Sequence, residues 1–185
     1  MEIKSNPREV AVTMSKANIY ALVFAVIPLG MLLAFWAMYG GAPIRQGNDF
    51  FNLWVFLPVV TVGIVIHELI HGFSWMAAAR IPFSRIKFGF QTRTLTPFAH
   101  CTVPITKRAY VFGALMPAIV LGFVPFIWAM LTGNGWWLFF AFFFTLAAGG
   151  DFLIVWLLRK VPGHLVVADH PEKAGCYVYD EVPNQ

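Results

Sequence analysis

Long apolar runs separated by short polar segments dominate the chain. Four runs are long enough for a helix that crosses a bilayer, which takes about 20 residues. They cover residues 17–39, 51–79, 109–131 and 136–158, within a few residues at each end. Only 132–135 separates the third run from the fourth, so these two helices must form an antiparallel hairpin. The pattern predicts an all-α integral membrane protein with four transmembrane helices.

The polar segments predict little further structure. Residues 80–108 form the one sizeable loop, in which Lys87–Thr92 and Ala99–Val103 have the composition of strands. We expect them to form a short β-hairpin on the cytoplasmic face of the membrane. The tail of residues 159–185 is too short for a second domain, so residues 1–185 are expected to form a single membrane-embedded domain.

Composition supports this prediction. The chain has 185 residues, of which 59% are hydrophobic and 12% charged, whereas a soluble domain has about 25% charged residues. Its partners are therefore expected to be the lipid bilayer and membrane-associated molecules, with no nucleic acid. The two cysteines, Cys101 and Cys176, form no CxxC pair. They indicate neither a disulfide framework nor a thiolate zinc site, and we expect reduced cytoplasmic thiols.

The basic residues predict the topology. All of them except Arg45 lie before the first run, between the second and third, or after the fourth. By the positive-inside rule that side is cytoplasmic, together with both termini. A prokaryotic cytoplasmic membrane is the expected location. A cleaved signal peptide is the alternative for the first run, but its apolar stretch exceeds the usual 7–15 residues, which favours a retained helix.

The ionisable residues inside the four runs are His67, Glu68, His71 and Asp151. Each costs about 2.5–3.5 kcal/mol at the centre of a bilayer, so such residues are candidates for function. His67 and His71 are one helical turn apart, so both rings lie on the same face and can bind one metal ion. Glu68 points elsewhere and can take a proton from a water on that metal. This is the HExxH pattern of zinc hydrolases.

A catalytic zinc needs a third protein ligand and an open position, and Asp151 is the candidate. His71 lies nine residues before Arg80, and Asp151 eight before Arg159. At 1.5 Å per residue they lie roughly 13 and 12 Å from the same membrane face. The alternative is that Asp151 packs between helices, bonded to Thr145 or to backbone near residues 149–150.

The other histidines carry weaker predictions. His100 is expected to be a loop residue. If the hairpin folds inward, His100 could instead reach the site and support the metal ligands. His164 and His170 are expected to be ordinary residues of the tail.

The chain resembles the site-2-protease-like intramembrane metalloproteases, and most closely the DUF3267 family of putative zincin peptidases. The resemblance covers residues 50–180. Its motifs are His67–Gly72, Leu115–Pro117, Gly149–Asp151 and the tail motifs Val167–Pro171 and Gly175-Cys176. It implies one zinc ion per chain on His67, His71 and Asp151, with Glu68 catalytic.

Two departures from site-2 proteases concern substrate handling. Pro117 is followed by Ala118 where those proteases carry an Asn after a Gly-Pro, and Asp151 is followed by Phe152 where they carry Gly.

The expected reaction is hydrolysis of a peptide bond in a transmembrane or membrane-proximal substrate, for which the hairpin is a docking edge. The alternatives are a metal transporter or sensor, which has no need of Glu68, and an inactive protease-like scaffold.

Overall fold

The computed structural model describes residues 7–91 and 96–179 and is mostly helical, with two antiparallel sheets. Its helices are α1 (Met14–Ala21), α2 (Val26–Tyr39), α3 (Gly41–Gln46), α4 (Leu53–Ala79), α5 (Lys107–Pro117), α6 (Val124–Thr132), α7 (Gly135–Ala147) and α8 (Gly149–Leu157). Its strands are β1 (Arg8–Val12), β2 (Ile86–Gln91), β3 (Thr96–Cys101), β4 (Ile105–Thr106), β5 (Val166–Asp169) and β6 (Ala174–Tyr179).

Within the described residues, three helical segments are long and apolar enough to cross a membrane: Met14–Tyr39, Leu53–Ala79 and Lys107–Thr132. A fourth span exists if Gly135–Ala147 and Gly149–Lys160, which meet at a bend of 43°, count as one. Large apolar side chains on these segments are exposed, as expected of surfaces that face lipid. The chain is therefore compatible with a membrane protein of three or four spans.

The candidate spans are interrupted at three places. A 3-10 turn at Leu22–Ala25 separates α1 from α2. Pro117, which has no N–H, ends α5, and a π-helical stretch at Ala118–Phe123 connects it to α6. The bend before α8 brings Gly149 against α1, where a Cβ would lie 3.1 Å from the carbonyl oxygen of Ala21.

The loop between α4 and α5 contains the hairpin of β2 and β3. Its register pairs Ile86 with Cys101 and Gln91 with Thr96. The second strand begins earlier than predicted, at Thr96, and ends at Cys101 rather than at Val103. Thr92, the last residue of the first predicted strand, lies outside the described residues.

The prediction of an all-α protein with one hairpin was incomplete, because a four-stranded sheet is also present. Its strand order is β1-β6-β5-β4, so Arg8–Val12 pairs with Ala174–Tyr179 near the other end of the chain. A short strand whose partner lies near the other end of the sequence leaves little local signal in its own sequence. The pairing places the segment before α1 and the tail on the same side of the molecule.

One apolar cluster joins the two sheets to the helices. Trp75 of α4 and Tyr110 of α5 pack with Ile86 of β2, Ile105 of β4 and Val167 of β5. The hairpin approaches α4 closely at Gly72, where a Cβ would lie 2.5 Å from Cζ of Phe88. The candidate site lies next to this cluster, where α4, α5, α8 and β3 meet.

Candidate metal centre

Two helices distant in sequence bring His67, His71 and Asp151 together. The two histidines lie one turn apart on α4, and Asp151 lies in the first turn of α8. Nε2 of His67 is 3.1 Å from Oδ2 of Asp151, and Nε2 of His71 is 3.3 Å from Oδ1. The two Nε2 atoms are 3.2 Å apart. The described residues thus contain a group of three side chains that could hold one metal ion.

These separations are of the size found between ligand atoms of a zinc site, with the two histidines approaching different oxygens of the Asp151 carboxylate. Zinc binds imidazole nitrogen at about 2.0–2.1 Å and carboxylate oxygen at about 2.0–2.2 Å, so adjacent ligand atoms lie roughly 3.3–3.4 Å apart. The observed distances of 3.1, 3.2 and 3.3 Å are close to that value. The donor set suits zinc, which accepts both imidazole and carboxylate ligands.

The ring of His71 is held in one orientation. Its Nδ1 donates to the carbonyl oxygen of Gly113 on α5 at 2.9 Å, because a carbonyl can only accept. The ring stacks on Trp75 with centroids 5.3 Å apart and planes at 16°. Trp75 in turn donates from Nε1 to the carbonyl oxygen of Tyr110 at 3.0 Å. This arrangement aims Nε2 of His71 at Asp151.

The orientation of His71 leaves Nε2 at a position that a cation, either a proton or a metal ion, can occupy. With the proton on Nδ1, neutral His71 presents the lone pair of Nε2 to a carboxylate oxygen of Asp151 and to the ring of His67. A lone pair facing a carboxylate is repulsive, and the side chains of His71 and Asp151 are only 7% and 18% exposed. A proton on Nε2 or a metal ion between these atoms removes the repulsion, and the set of two imidazoles and one carboxylate fits zinc.

Glu68 lies beside the group but outside it. Its carboxylate is directed to the hairpin, where Oε2 accepts a hydrogen bond from the backbone N–H of Ala99 at 2.6 Å. The described structure therefore places strand β3 next to Glu68 and the histidine pair.

The structure does not place His100 in the three-residue group. Its Nδ1 is 3.2 Å from Oδ2 of Asp169 on β5. The same carboxylate accepts from the backbone N–H of Cys101 at 3.0 Å and from the hydroxyl of Tyr110 at 2.5 Å. Burial raises the pKa of Asp169, whereas these hydrogen bonds act against that shift. Asp169 thus links the hairpin, the tail and α5.

The remaining predicted residues lie away from the site. His164 is exposed in the loop before β5. His170 accepts at Nδ1 from the backbone N–H groups of Glu172 and Lys173, at 3.0 and 2.9 Å, within the β5–β6 turn. Thr145, the partner considered for Asp151, donates instead to Sδ of Met31 at 3.6 Å.

Both cysteines are free and buried. Burial raises the pKa of Cys101 to about 11 and also raises the pKa of Cys176.

Sequence reasoning missed the groups that support the site through the backbone. These are the carbonyl of Gly113 and the N–H of Ala99, neither of which has a side-chain signature. Asp169 was also missed, although an acidic residue between an apolar strand and a turn is a signal that could have marked it.

Comparison with known proteins gives a match to a family model. No curated protein and no solved structure matches the chain. A family model, DUF3267, described as "Putative zincin peptidase", matches residues 60–166, which is more than half of the 185 residues. The matched range contains His67, Glu68, His71 and Asp151. The family implies zinc as the metal and indicates a metallopeptidase, and the chain belongs to this DUF3267 family.

Proposed function

We propose that the chain is an intramembrane zinc endopeptidase of the site-2-protease-like kind, with one Zn²⁺ per chain. The observation that carries this proposal is the convergence of His67, His71 and Asp151 at separations of 3.1–3.3 Å, with Glu68 adjacent. Both helices that provide the three side chains, α4 and α8, belong to candidate spans. The match to a family of putative zincin peptidases supports the interpretation of this group as the site of a hydrolase.

Each residue has a distinct part in the proposed reaction. His67, His71 and Asp151 would hold the zinc ion, which when bound supplies the Lewis acidity that activates a water and stabilises negative charge on oxygen. Glu68 takes a proton from the attacking water, and the oxygen of that water bonds to the peptide carbonyl carbon. Glu68 then passes that proton to the amine as the C–N bond breaks.

The hairpin is the proposed docking edge for the substrate. The outer edge of β3, which faces away from β2, presents Pro97, Ala99 and Cys101. Proline has no N–H, and the N–H groups of Ala99 and Cys101 donate to carboxylates of Glu68 and Asp169. A substrate strand added to this edge can accept from Ala99 only if Glu68 releases that N–H. Substrate docking and release of the base are therefore linked in this proposal.

The orientation in the membrane is also part of the proposal. We place the hairpin, the four-stranded sheet and both ends of the chain on the cytoplasmic side, because nearly all basic residues lie there. Water and an unwound substrate segment would then reach the site from the cytoplasmic face. The substrate is a transmembrane or membrane-proximal peptide, because the metal-binding residues lie on candidate spans.

The test compares wild type with Glu68→Gln in detergent or liposomes. Both proteins should contain about one zinc per chain, since Glu68 is not a ligand. Only wild type should cleave a membrane-helix peptide, and the loss of cleavage in Glu68→Gln should be at least about 100-fold, the usual contribution of a general base.

Other results would favour other functions. Full activity of Glu68→Gln, or wild type without bound metal, would contradict the proposed mechanism. Zinc binding with no cleavage by either protein would indicate the inactive scaffold. Metal flux into liposomes that is independent of Glu68 would indicate the transporter.

A further inference from the structure

The carbonyl that orients His71 is left without a helical partner by a proline. In an α-helix the carbonyl of each residue accepts from the N–H four residues later. The residue four positions after Gly113 is Pro117, which has no N–H. The N–H of Ala118 donates instead to the carbonyl of Leu115. The oxygen of Gly113 is therefore open to a donor from outside α5.

The outside donor is the metal-site histidine. Nδ1 of His71 lies 2.9 Å from the oxygen of Gly113 in a buried contact between α4 and α5. A buried carbonyl without a partner is destabilising, so the missing backbone bond and the histidine bond complement one another. With Pro117 in place, the N–H of His71 has no competitor in α5 for this oxygen.

Gly113 allows the two helices to come close enough for this bond. A Cβ at this position would lie 2.2 Å from Cδ1 and 2.4 Å from Nε1 of Trp75. Trp75 also stacks on the ring of His71. The glycine and the proline thus act on the same histidine from the same helix, one by permitting contact and the other by freeing the acceptor.

We propose that Pro117 is a positioning residue of the metal centre, which frees the Gly113 carbonyl to hold the proton of His71 on Nδ1 and so aims Nε2 at the metal. This role rests on the proposed function, because it assumes that His71 is a zinc ligand. It differs from a kink alone, because it depends on the missing N–H at position 117 rather than on the shape of the ring.

The experiment separates the N–H from the ring with a matched pair of variants in the full-length protein. Pro117→Ala restores the N–H, whereas lactic acid at position 117 carries the same methyl group on an ester that has no N–H. Zinc affinity is measured by competition with a chromophoric chelator. Pro117→Ala should bind zinc about 10- to 100-fold more weakly, the usual cost of losing an outer-shell partner. The lactic acid variant should bind as wild type does.

A second readout does not require metal. In the metal-free protein, ¹⁵N shifts of the His71 ring report which nitrogen carries the proton. At a pH high enough for the ring to be neutral, wild type and the lactic acid variant should carry the proton on Nδ1, and Pro117→Ala should shift it towards Nε2. Pro125→Ala, at another buried proline of the same span, should change neither readout.

The outcomes are distinguishable. Equal losses of zinc affinity in both position-117 variants would show that the proline ring matters. Unchanged zinc affinity in Pro117→Ala, with the His71 proton still on Nδ1, would show that neither the ring nor the missing N–H matters. Either result overturns the proposal, as does a neutral wild-type ring protonated on Nε2 and not on Nδ1, which decides the matter even if a variant fails to fold. Absence of zinc binding in wild type would instead overturn the proposed function, while the ring measurement would still test Pro117.

Discussion

At the scale of single residues, backbone groups give the site its orientation. His71 donates to the carbonyl of Gly113, and Glu68 accepts from the N–H of Ala99. Outer partners of this kind fix the tautomer of a metal-binding histidine and tune its affinity. The HExxH pattern therefore points to the candidate side chains, whereas their orientation depends on residues whose side chains take no part.

Cys101 provides a prediction at this scale. Its pKa is raised to about 11 by burial, so at pH 8 only about a thousandth of the thiol is the reactive thiolate. We expect iodoacetamide to leave Cys101 unmodified in the folded protein over hours and to label it within minutes after denaturation, as measured by mass spectrometry of peptides. Fast labelling of the native protein would contradict the buried position.

At the scale of elements, the edge of β3 has a dual part in the proposed function. Its N–H groups bind two carboxylates in the described structure, and the proposal requires one of them to transfer to substrate. The side chains of Phe88 and Ile86 pack at Gly72 of α4, which holds this edge beside the histidines.

Ala99→Pro tests this edge, because proline removes the N–H on the side facing away from β2, where edge strands tolerate it. In the free protein this N–H bonds the Glu68 carboxylate, and in the proposed complex it bonds a neutral substrate carbonyl. A hydrogen bond to a charged group is worth about 1.5–3 kcal/mol and a neutral one about 0.5–1.5 kcal/mol. Because proline removes both bonds, KM should fall by a few-fold to about tenfold. Ala99→Gly keeps the N–H and serves as the control. An unchanged KM in Ala99→Pro would exclude main-chain docking at this position.

Much of the helical part of the fold could be predicted from sequence, because a membrane span leaves a local signal about 20 residues long. The comparison of the depths of His71 and Asp151 in the membrane used the constant rise per residue of a helix. It assumed a straight fourth span, whereas the structure has a bend between Ala147 and Gly149. Strand β1 could not be found in this way, since its partner β6 lies at the far end of the chain. The Gly113 carbonyl was equally hidden, because its availability depends on helix–helix contact.

At the scale of the whole molecule, charge and pairing together define a topology that can be tested. Pairing of β1 with β6 places Arg8 on the same side as the tail, and Lys160 follows the last helix. Asp49 lies in the turn that connects the first two spans, at the opposite end of α4 from the hairpin. The proposed orientation places Arg8 and Lys160 in the cytoplasm and Asp49 outside.

Single exposed cysteines at these positions measure the orientation. In intact cells, a membrane-impermeant maleimide should label Asp49→Cys, and should label Arg8→Cys and Lys160→Cys only after permeabilisation. The native cysteines are buried and give a low background in the parent protein. The reverse pattern would show that the chain is inserted in the opposite sense.

The central claim is that zinc is held by two imidazoles and one carboxylate. Zinc K-edge X-ray absorption on the purified wild-type protein tests it most directly. We predict zinc ligands that are nitrogen and oxygen only, at about 2.0–2.2 Å, with the more distant scattering of two imidazole rings. A sulfur ligand at about 2.3 Å, which would require Cys101 or Cys176, or a shell with no imidazole, would contradict it.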